Sequence, residues 1–101
     1  MAKANKINIL LVCPNEVPKV MKIPNTLKAK QKLVNGKIEV CYLLEDNEVC
    51  IICNDEGKIN GSLPNRDIYY DIIYGNFIIV GDDYANAGFK SVTKEQLGKY
   101  Q

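Results

Sequence analysis

The chain has 101 residues, of which 47% are hydrophobic and 25% are charged, and its net charge is +1. This length and balance predict a single globular domain over residues 1–101. Because the sequence contains no histidine, we exclude His-based acid–base catalysis, Ser–His and Cys–His nucleophile pairs, and metal sites that need imidazole.

The two parts of the chain carry opposite charge. Residues 1–40 contain eight lysines against two glutamates, whereas residues 41–101 contain five basic and ten acidic residues. The near-zero total gives no overall attraction to nucleic acid or to an anionic membrane. We therefore expect no membrane partner, and we keep nucleic acid only as a minor alternative.

The first apolar run, residues 7–12, is too short for the core of a signal peptide, because a Pro-Asn-Glu turn follows it at once. No other run reaches the length of a membrane span. We therefore expect a cytoplasmic protein, a compartment in which thiols are kept reduced. We therefore expect the four cysteines of the chain to be reduced; they are Cys13, Cys41, Cys50 and Cys53.

Two strands and one helix are predicted in the first third of the chain. Ile7–Cys13 and Pro18–Ile23 have the composition of strands and are joined by a proline-containing turn. Asn25 or Thr26 would cap a helix that stops at Gly36, where glycine suits a left-handed residue. The helix is too short to be stable alone and must pack on a sheet. Its apolar side consists of Leu27, Ala29, Leu33 and Val34.

The middle of the chain predicts a hairpin followed by a long loop. Lys37–Leu44 alternates along its length, and Glu48–Cys53 is a continuous apolar run typical of a sheet interior. The acidic residues 45–47 would connect these two strands. Residues 54–67 then form the longest stretch without periodicity, and long loops of this kind are often functional.

Two further strands and a second helix are predicted in the last third. Ile68–Tyr74 and Phe77–Val80 flank Gly75-Asn76, a pair that suits a type II′ hairpin turn. Thr93 and Gln96 predict a capping box at the start of a short final helix. We therefore predict an α+β fold: a two-layer, mostly antiparallel sheet with one main helix packed on a face and a short C-terminal helix.

Arg66 is the strongest candidate for a ligand contact. It is the only arginine in the chain, and its planar guanidinium can hold a carboxylate or phosphate through two parallel hydrogen bonds. The preceding Leu-Pro-Asn would form a stiff turn that fixes its direction. The alternative is an internal ion pair with Asp67 or Asp71 that fastens the loop.

Other polar and aromatic residues of the same region complete the candidate ligand site. Asn54 and Gly57 suit a turn whose backbone N–H groups, with Lys58, would join Arg66 in one polar recess. One of two adjacent tyrosines would stack on a base or on a side chain of a partner. The alternatives are a plain connecting turn and tyrosines packed at a rim. The candidate site contains Arg66, Asn65, Lys58, Asn54, Gly57, Tyr69 and Tyr70.

The remaining polar clusters are expected to be structural. Cys50 and Cys53 lie three residues apart in a strand, so their side chains face opposite ways and cannot share an ion. Adjacent acids could supply acid–base pairs or a divalent cation site, but they are more typical of solvated turns. The lysines in and just after the first helix could form a basic patch, but they are more typical of a solvated face. The acids are Glu45, Asp46, Glu48, Asp82 and Asp83, and the lysines are Lys28, Lys30, Lys32 and Lys37. We therefore expect no metal, no cofactor and no catalytic residue.

Four stretches of the sequence, taken together, resemble a known family. They are NTLKAKQKLVNGKIEV, NDEGKINGSLPNR, DIIYGNFIIVGDD and SVTKEQ. Their order and spacing over residues 7–97 are similar to the family catalogued as domain of unknown function 3846. The resemblance implies an accessory protein of phages, prophages and other mobile elements, and it brings no catalytic residue with it.

These observations predict a non-enzymatic protein that acts by stoichiometric binding. As a phage or prophage accessory protein, it would counter host defence in the host cytoplasm by sequestering a small anionic, nucleotide-like immune signal. Such a pocket is often built across a homo-oligomer. The first alternative is an inhibitor or adaptor that binds a host or phage protein through an acidic surface or a sheet edge. The second is a nucleic-acid-binding accessory protein that uses the lysine-rich first half.

Overall fold

The computed structural model describes residues 5–42, 48–56, 62–68, 71–83 and 88–100, with the backbone alone at 42, 66–68, 71 and 100. The strands within these ranges are β1 (Lys6–Val12), β2 (Lys19–Pro24), β3 (Ile38–Tyr42), β4 (Val49–Asn54), β5 (Pro64–Ile68), β6 (Asp71–Tyr74), β7 (Phe77–Asp83) and β8 (Gly88–Lys90). The helices are α1 (Leu27–Val34) and α2 (Lys94–Tyr100). None of the helices described in these ranges is long and apolar enough to cross a membrane.

β7 lies at the centre of the main sheet. The strands run in the order β2-β1-β7-β4-β3, and every neighbouring pair is antiparallel. β8 continues along the same side of β7 as β1, because β1 pairs with residues 77–79 and β8 with residues 81–83. β4 and β7 are buried nearly throughout, as their continuous apolar runs predict. The predicted α+β fold with a mostly antiparallel sheet is confirmed.

The main sheet is covered on both faces. On one face, here called the α1 face, Leu33 of α1 and Phe89 of β8 pack on a cluster that includes Ile52. On the other, the α2 face, Leu97 of α2 and Ile73 of β6 pack on a cluster that includes Ile51. The main helix therefore packs on a face as predicted. The β5–β6 hairpin and α2 add a cover on the second face, which explains why both alternating sets of β4 side chains are apolar.

The ends of α1 are fixed by side chains. Thr26 is the N-cap, and its Oγ accepts a hydrogen bond of 3.1 Å from the backbone N–H of Ala29, as predicted. At the other end the left-handed residue is Asn35, with φ 63°, so the assignment of that role to Gly36 is wrong. Gly36 is required for another reason. A Cβ atom there would lie 2.8 Å from Nδ2 of Asn54.

We expect Gly36→Ala to lower the free energy of unfolding by about 1–3 kcal/mol, because the new methyl group displaces an amide that is hydrogen-bonded to the end of α1. Urea denaturation of both proteins measures the difference. Gly98→Ala is the matched control, since a Cβ atom at Gly98 of α2 meets nothing within 4 Å. That control should gain about 0.5–1 kcal/mol, and equal losses in the two variants would contradict the steric explanation.

The predicted hairpin at Gly75-Asn76 is wrong. β6 pairs with β5 in a separate two-stranded sheet, whereas β7 belongs to the main sheet, so the chain changes sheets at this point. Gly75 has φ 79°, which favours glycine, and its N–H donates to the carbonyl of Leu63 at 2.7 Å. Residues 64–67 of β5 lie inside the stretch predicted as a loop, because its polar sequence PNRDI lacks the alternation of a strand.

Two predicted local features of the chain are confirmed. β3 and β4 pair as antiparallel neighbours, although residues 43–47 between them lie outside the described ranges. The capping box also forms. The N–H of Thr93 donates to Oε1 of Gln96 at 2.8 Å, and the N–H of Gln96 donates to Oγ1 of Thr93 at 3.1 Å. This box fixes the start of α2 where the chain reaches the α2 face.

Candidate functional site

The predicted ligand site is only partly within the described residues. Lys58, Gly57, Tyr69 and Tyr70 lie outside them. The backbone of Arg66 lies in β5, opposite Ile73 of β6, so this residue is part of a strand and not of the predicted stiff turn. Two members of the site, Asn54 and Asn65, are described with their side chains, and their positions show how the surrounding segments are held. The ligand role of the site stays a prediction.

Asn54 joins the end of β4 to the end of α1. Its Nδ2 donates to the carbonyl oxygens of Val34 at 2.9 Å and Asn35 at 3.2 Å, where the helix leaves carbonyls without helical partners. Its Oδ1 accepts a hydrogen bond of 2.8 Å from the N–H of Glu56. This last bond is the predicted Asx turn, in which the side chain closes on the backbone two residues later. Asn54 thereby fixes the point at which the chain leaves the sheet toward residues 57–61.

Asn65 fixes β5 to the main sheet. Between Pro64 and Arg66 the register of β5 on β6 shifts by one residue, so Asn65 is the extra residue of a β-bulge. Its Nδ2 donates to the carbonyl of Val12 at 2.9 Å and to the carbonyl of Gly75 at 2.8 Å. These bonds tie the residue immediately before Arg66 to the end of β1 and to the turn before β7.

Asn76 is a third asparagine with the same role, and the sequence reasoning missed it. Its Nδ2 donates to the carbonyl of Leu33 in the last turn of α1 at 3.3 Å. Val12 and Cys53 both pair with Phe77, so the contacts of all three asparagines lie at one end of the main sheet. We call Asn54, Asn65 and Asn76 the asparagine cluster. Each of its amides is directed at backbone carbonyls of this chain, so the cluster holds three segments together at that end.

Lys30 is buried, so its expected place on a solvated helix face is wrong. The side chain is 3% exposed on the α1 face. Its Nζ donates to Oδ1 of Asn25 at 2.8 Å and to the carbonyl of Thr26 at 3.3 Å, and it lies 5.0 Å from the centre of the Phe89 ring. Burial lowers the pKa of this ammonium below its ordinary value. The lysine-rich surface predicted as an alternative site for nucleic acid therefore lacks Lys30.

Asp82 is also buried, which contradicts its expected place in a solvated turn. It lies in β7 at 8% exposure, and its Oδ2 has no hydrogen-bond partner among the described residues. Burial raises the pKa of the neighbouring Cys50 thiol to about 12, and the Asp82 charge adds to the rise. Of the acidic surface predicted for a protein partner, Glu45 and Asp46 lie outside the described residues, and only Glu48 is exposed while Asp83 is half-buried.

The cysteines of β4 lie on opposite faces, as predicted. Cys50 belongs to the cluster of the α1 face and Cys53 to that of the α2 face. The sequence reasoning missed a different pair, however. The Sγ atoms of Cys41 in β3 and Cys53 in β4 are 4.0 Å apart, and Cys41 Sγ lies 3.6 Å from Oε1 of Glu39. Burial, with Cys41 nearby, raises the pKa of Cys53 to about 12. Only the strand register brings these three side chains together.

Comparison with known families assigns the chain. Residues 7–101 match the family described as domain of unknown function (DUF3846), and this match spans nearly the whole chain. The protein therefore belongs to the DUF3846 family, as the four quoted stretches indicate. No curated protein and no solved structure matches it.

Proposed function

We propose that this member of the DUF3846 family is a non-enzymatic binding protein of a phage or prophage. It would bind a small anionic, nucleotide-like ligand stoichiometrically in the host-cell cytoplasm and so counter a host defence that uses such a signal. The sequence favours binding over catalysis, since it has no histidine to build a nucleophile–base pair. The proposal depends on the single arginine, whose guanidinium would bind the phosphate of the ligand.

One structural observation carries this proposal. The two segments that hold the proposed cationic contacts are both anchored at the same end of the main sheet. Asn54 fixes the exit of the chain toward Lys58, and Asn65 ties the residue before Arg66 to the end of β1. Because these anchors rest on paired strands, they favour a recess of fixed shape, which reduces the entropy lost on binding. The asparagines then act as positioning residues, and the ligand would be held by Lys58, Arg66 and a tyrosine.

Arg66→Ala is expected to weaken binding of the ligand by at least about tenfold, because a charge-assisted hydrogen bond contributes about 1.5–3 kcal/mol. Arg66→Lys should recover only part of the affinity, since an ammonium cannot form two parallel bonds. Calorimetry with cyclic dinucleotides and ADP-ribose derivatives measures these affinities. Lys22→Ala, an exposed position in β2, is the control for loss of one positive charge. No binding by the unaltered protein, or equal losses in the Arg66 and Lys22 variants, would contradict the proposal.

A second candidate function is a protein partner at the sheet edge formed by β2. Among the described residues β2 pairs with β1 alone, and Val20 in this strand is 46% exposed. An extended peptide of a host or phage protein could add to this edge as a further strand. Val20→Pro removes a backbone N–H from the edge without touching the Arg66 segment. If this variant lost a partner in an affinity pull-down that Arg66→Ala retained, the edge would be the functional surface.

A further inference from the structure

We propose that Glu39, Cys41 and Cys53 bind one thiophilic divalent cation of the Zn²⁺ class. The site lies on the α2 face of the β3–β4 pair and is independent of the proposed nucleotide function. One carboxylate oxygen and two sulfur atoms of these residues all lie within 4.8 Å of one another. Carboxylate and thiolate are both ordinary ligands of Zn²⁺ in proteins.

Two of the three distances between the ligand atoms match those around a tetrahedral ion. With bonds of about 2.3 Å to sulfur and about 2.0 Å to oxygen, tetrahedral Zn²⁺ separates two sulfur ligands by about 3.8 Å and a sulfur from an oxygen by about 3.5 Å. The Cys41 and Cys53 sulfurs are 4.0 Å apart. The Cys41 sulfur lies 3.6 Å from the Glu39 oxygen. The Glu39 oxygen and the Cys53 sulfur lie within 4.8 Å of each other, so the exposed Glu39 side chain would close on the ion by up to about 1.3 Å.

The scaffold under these ligands is regular paired sheet. Glu39 lies directly opposite Cys53 in the register, and Cys41 lies opposite Ile51, so backbone hydrogen bonds on both strands fix the three positions. Ligands held by strands are positioned more accurately than ligands held by loops. Cys53 is buried, Cys41 half-buried and Glu39 exposed, so the group opens toward solvent. A water molecule or a donor from a partner could complete the fourth position.

Binding is a ligand exchange without oxidation or reduction. The ion forms two bonds to sulfur and one to oxygen, and the two thiol protons pass to the buffer as each thiol becomes a thiolate. The three ligands carry three negative charges, which the ion reduces to one. The proposal therefore includes the release of two protons for each ion that binds.

The test uses the full chain kept reduced by a phosphine. Titration with Co²⁺ should give the thiolate charge-transfer and tetrahedral d–d absorption bands, saturating at one ion per chain, and Zn²⁺ should displace it. Cys41→Ala and Glu39→Gln should each weaken Zn²⁺ binding by at least about tenfold, or 1.4 kcal/mol. Cys50→Ala and Cys13→Ala are matched controls, because Cys50 lies in the same strand on the opposite face. Both should bind as the unaltered protein does.

Three outcomes would overturn the site. The first is no Co²⁺ or Zn²⁺ binding by a protein whose four thiols are shown to be reduced. The second is binding that survives Cys41→Ala and Glu39→Gln unchanged. The third is binding that depends on Cys13 or Cys50. Far-ultraviolet circular dichroism shows whether each variant folds. Glu39→Gln replaces an exposed side chain, so this substitution leaves the buried core undisturbed.

Discussion

Replacing Gly81 with alanine is expected to lower the free energy of unfolding by about 3 kcal/mol or more, or to prevent folding. Gly81 lies in β7, and its missing side chain is directed toward the chain that follows β8. A Cβ atom there would lie 2.8 Å from the carbonyl oxygen of Ser91 and 2.9 Å from that of Lys90. Both are backbone atoms, which cannot move aside as a side chain can.

The close approach at Gly81 has a structural purpose. After β8 the chain crosses to the α2 face, where the N–H of Val92 donates to the carbonyl of Asn8 at 3.0 Å and Val92 joins the core. An alanine at position 81 would push this crossing away from β1. Urea and thermal denaturation of Gly81→Ala beside Gly98→Ala measure the effect. A loss of less than about 1 kcal/mol would show that the crossing is not as tight as described.

Lys30→Ala is expected to lower the free energy of unfolding by about 2–4 kcal/mol. The substitution removes three of the four carbons of a buried stem and leaves Oδ1 of Asn25 without its donor. Lys30→Met keeps most of the stem and isolates the loss of the ammonium, so it should cost less than the alanine variant. Denaturation of the three proteins at neutral pH measures both differences. Equal stability of all three would contradict the burial of Lys30.

The same lysine should give a pH signature. Its pKa is lower in the folded chain than the ordinary 10.5, so the folded state binds fewer protons than the unfolded state between the two pKa values. The contribution of Lys30 to the free energy of unfolding therefore rises as the pH rises through that interval toward 10.5. The stability of the unaltered protein relative to Lys30→Met should increase over the interval. A decrease of this difference with rising pH would mean that folding raises the pKa of Lys30, which would contradict the effect of its burial.

Much of the fold could be predicted because the signals were local or periodic. The Thr26 cap, the capping box of Thr93 and the buried run in β4 each depend on a few neighbouring residues. β5 could not be predicted in this way. Its residues are polar, and it becomes a strand because β6 pairs with it and Asn65 is bonded to the end of β1. The change of sheet at Gly75 follows from that pairing, so the sequence pattern could not predict it either.

The candidate site could be predicted only as a segment. Periodicity treats every lysine and aspartate as solvated, so it placed Lys30 and Asp82 on the surface, where both would avoid a desolvation cost. In the structure, hydrogen bonds and an aromatic ring accompany the burial of Lys30. The pairing of Cys41 with Cys53 needed the strand register, which no local pattern supplies. The internal bonds of Asn54 and Asn65 show that a polar residue in a suspected site can serve to position its neighbours.

The most direct test of the proposed binding function is nuclear magnetic resonance of the ¹⁵N-labelled protein titrated with the same nucleotides. We expect saturable shifts of the backbone amide signals of residues 54–68, with the signals of β2 and α2 unchanged. Arg66→Ala should strongly reduce those shifts at the same ligand concentration. Saturable shifts confined to β2, or no shifts with any nucleotide tested, would contradict a ligand site at the end of the sheet held by the asparagine cluster.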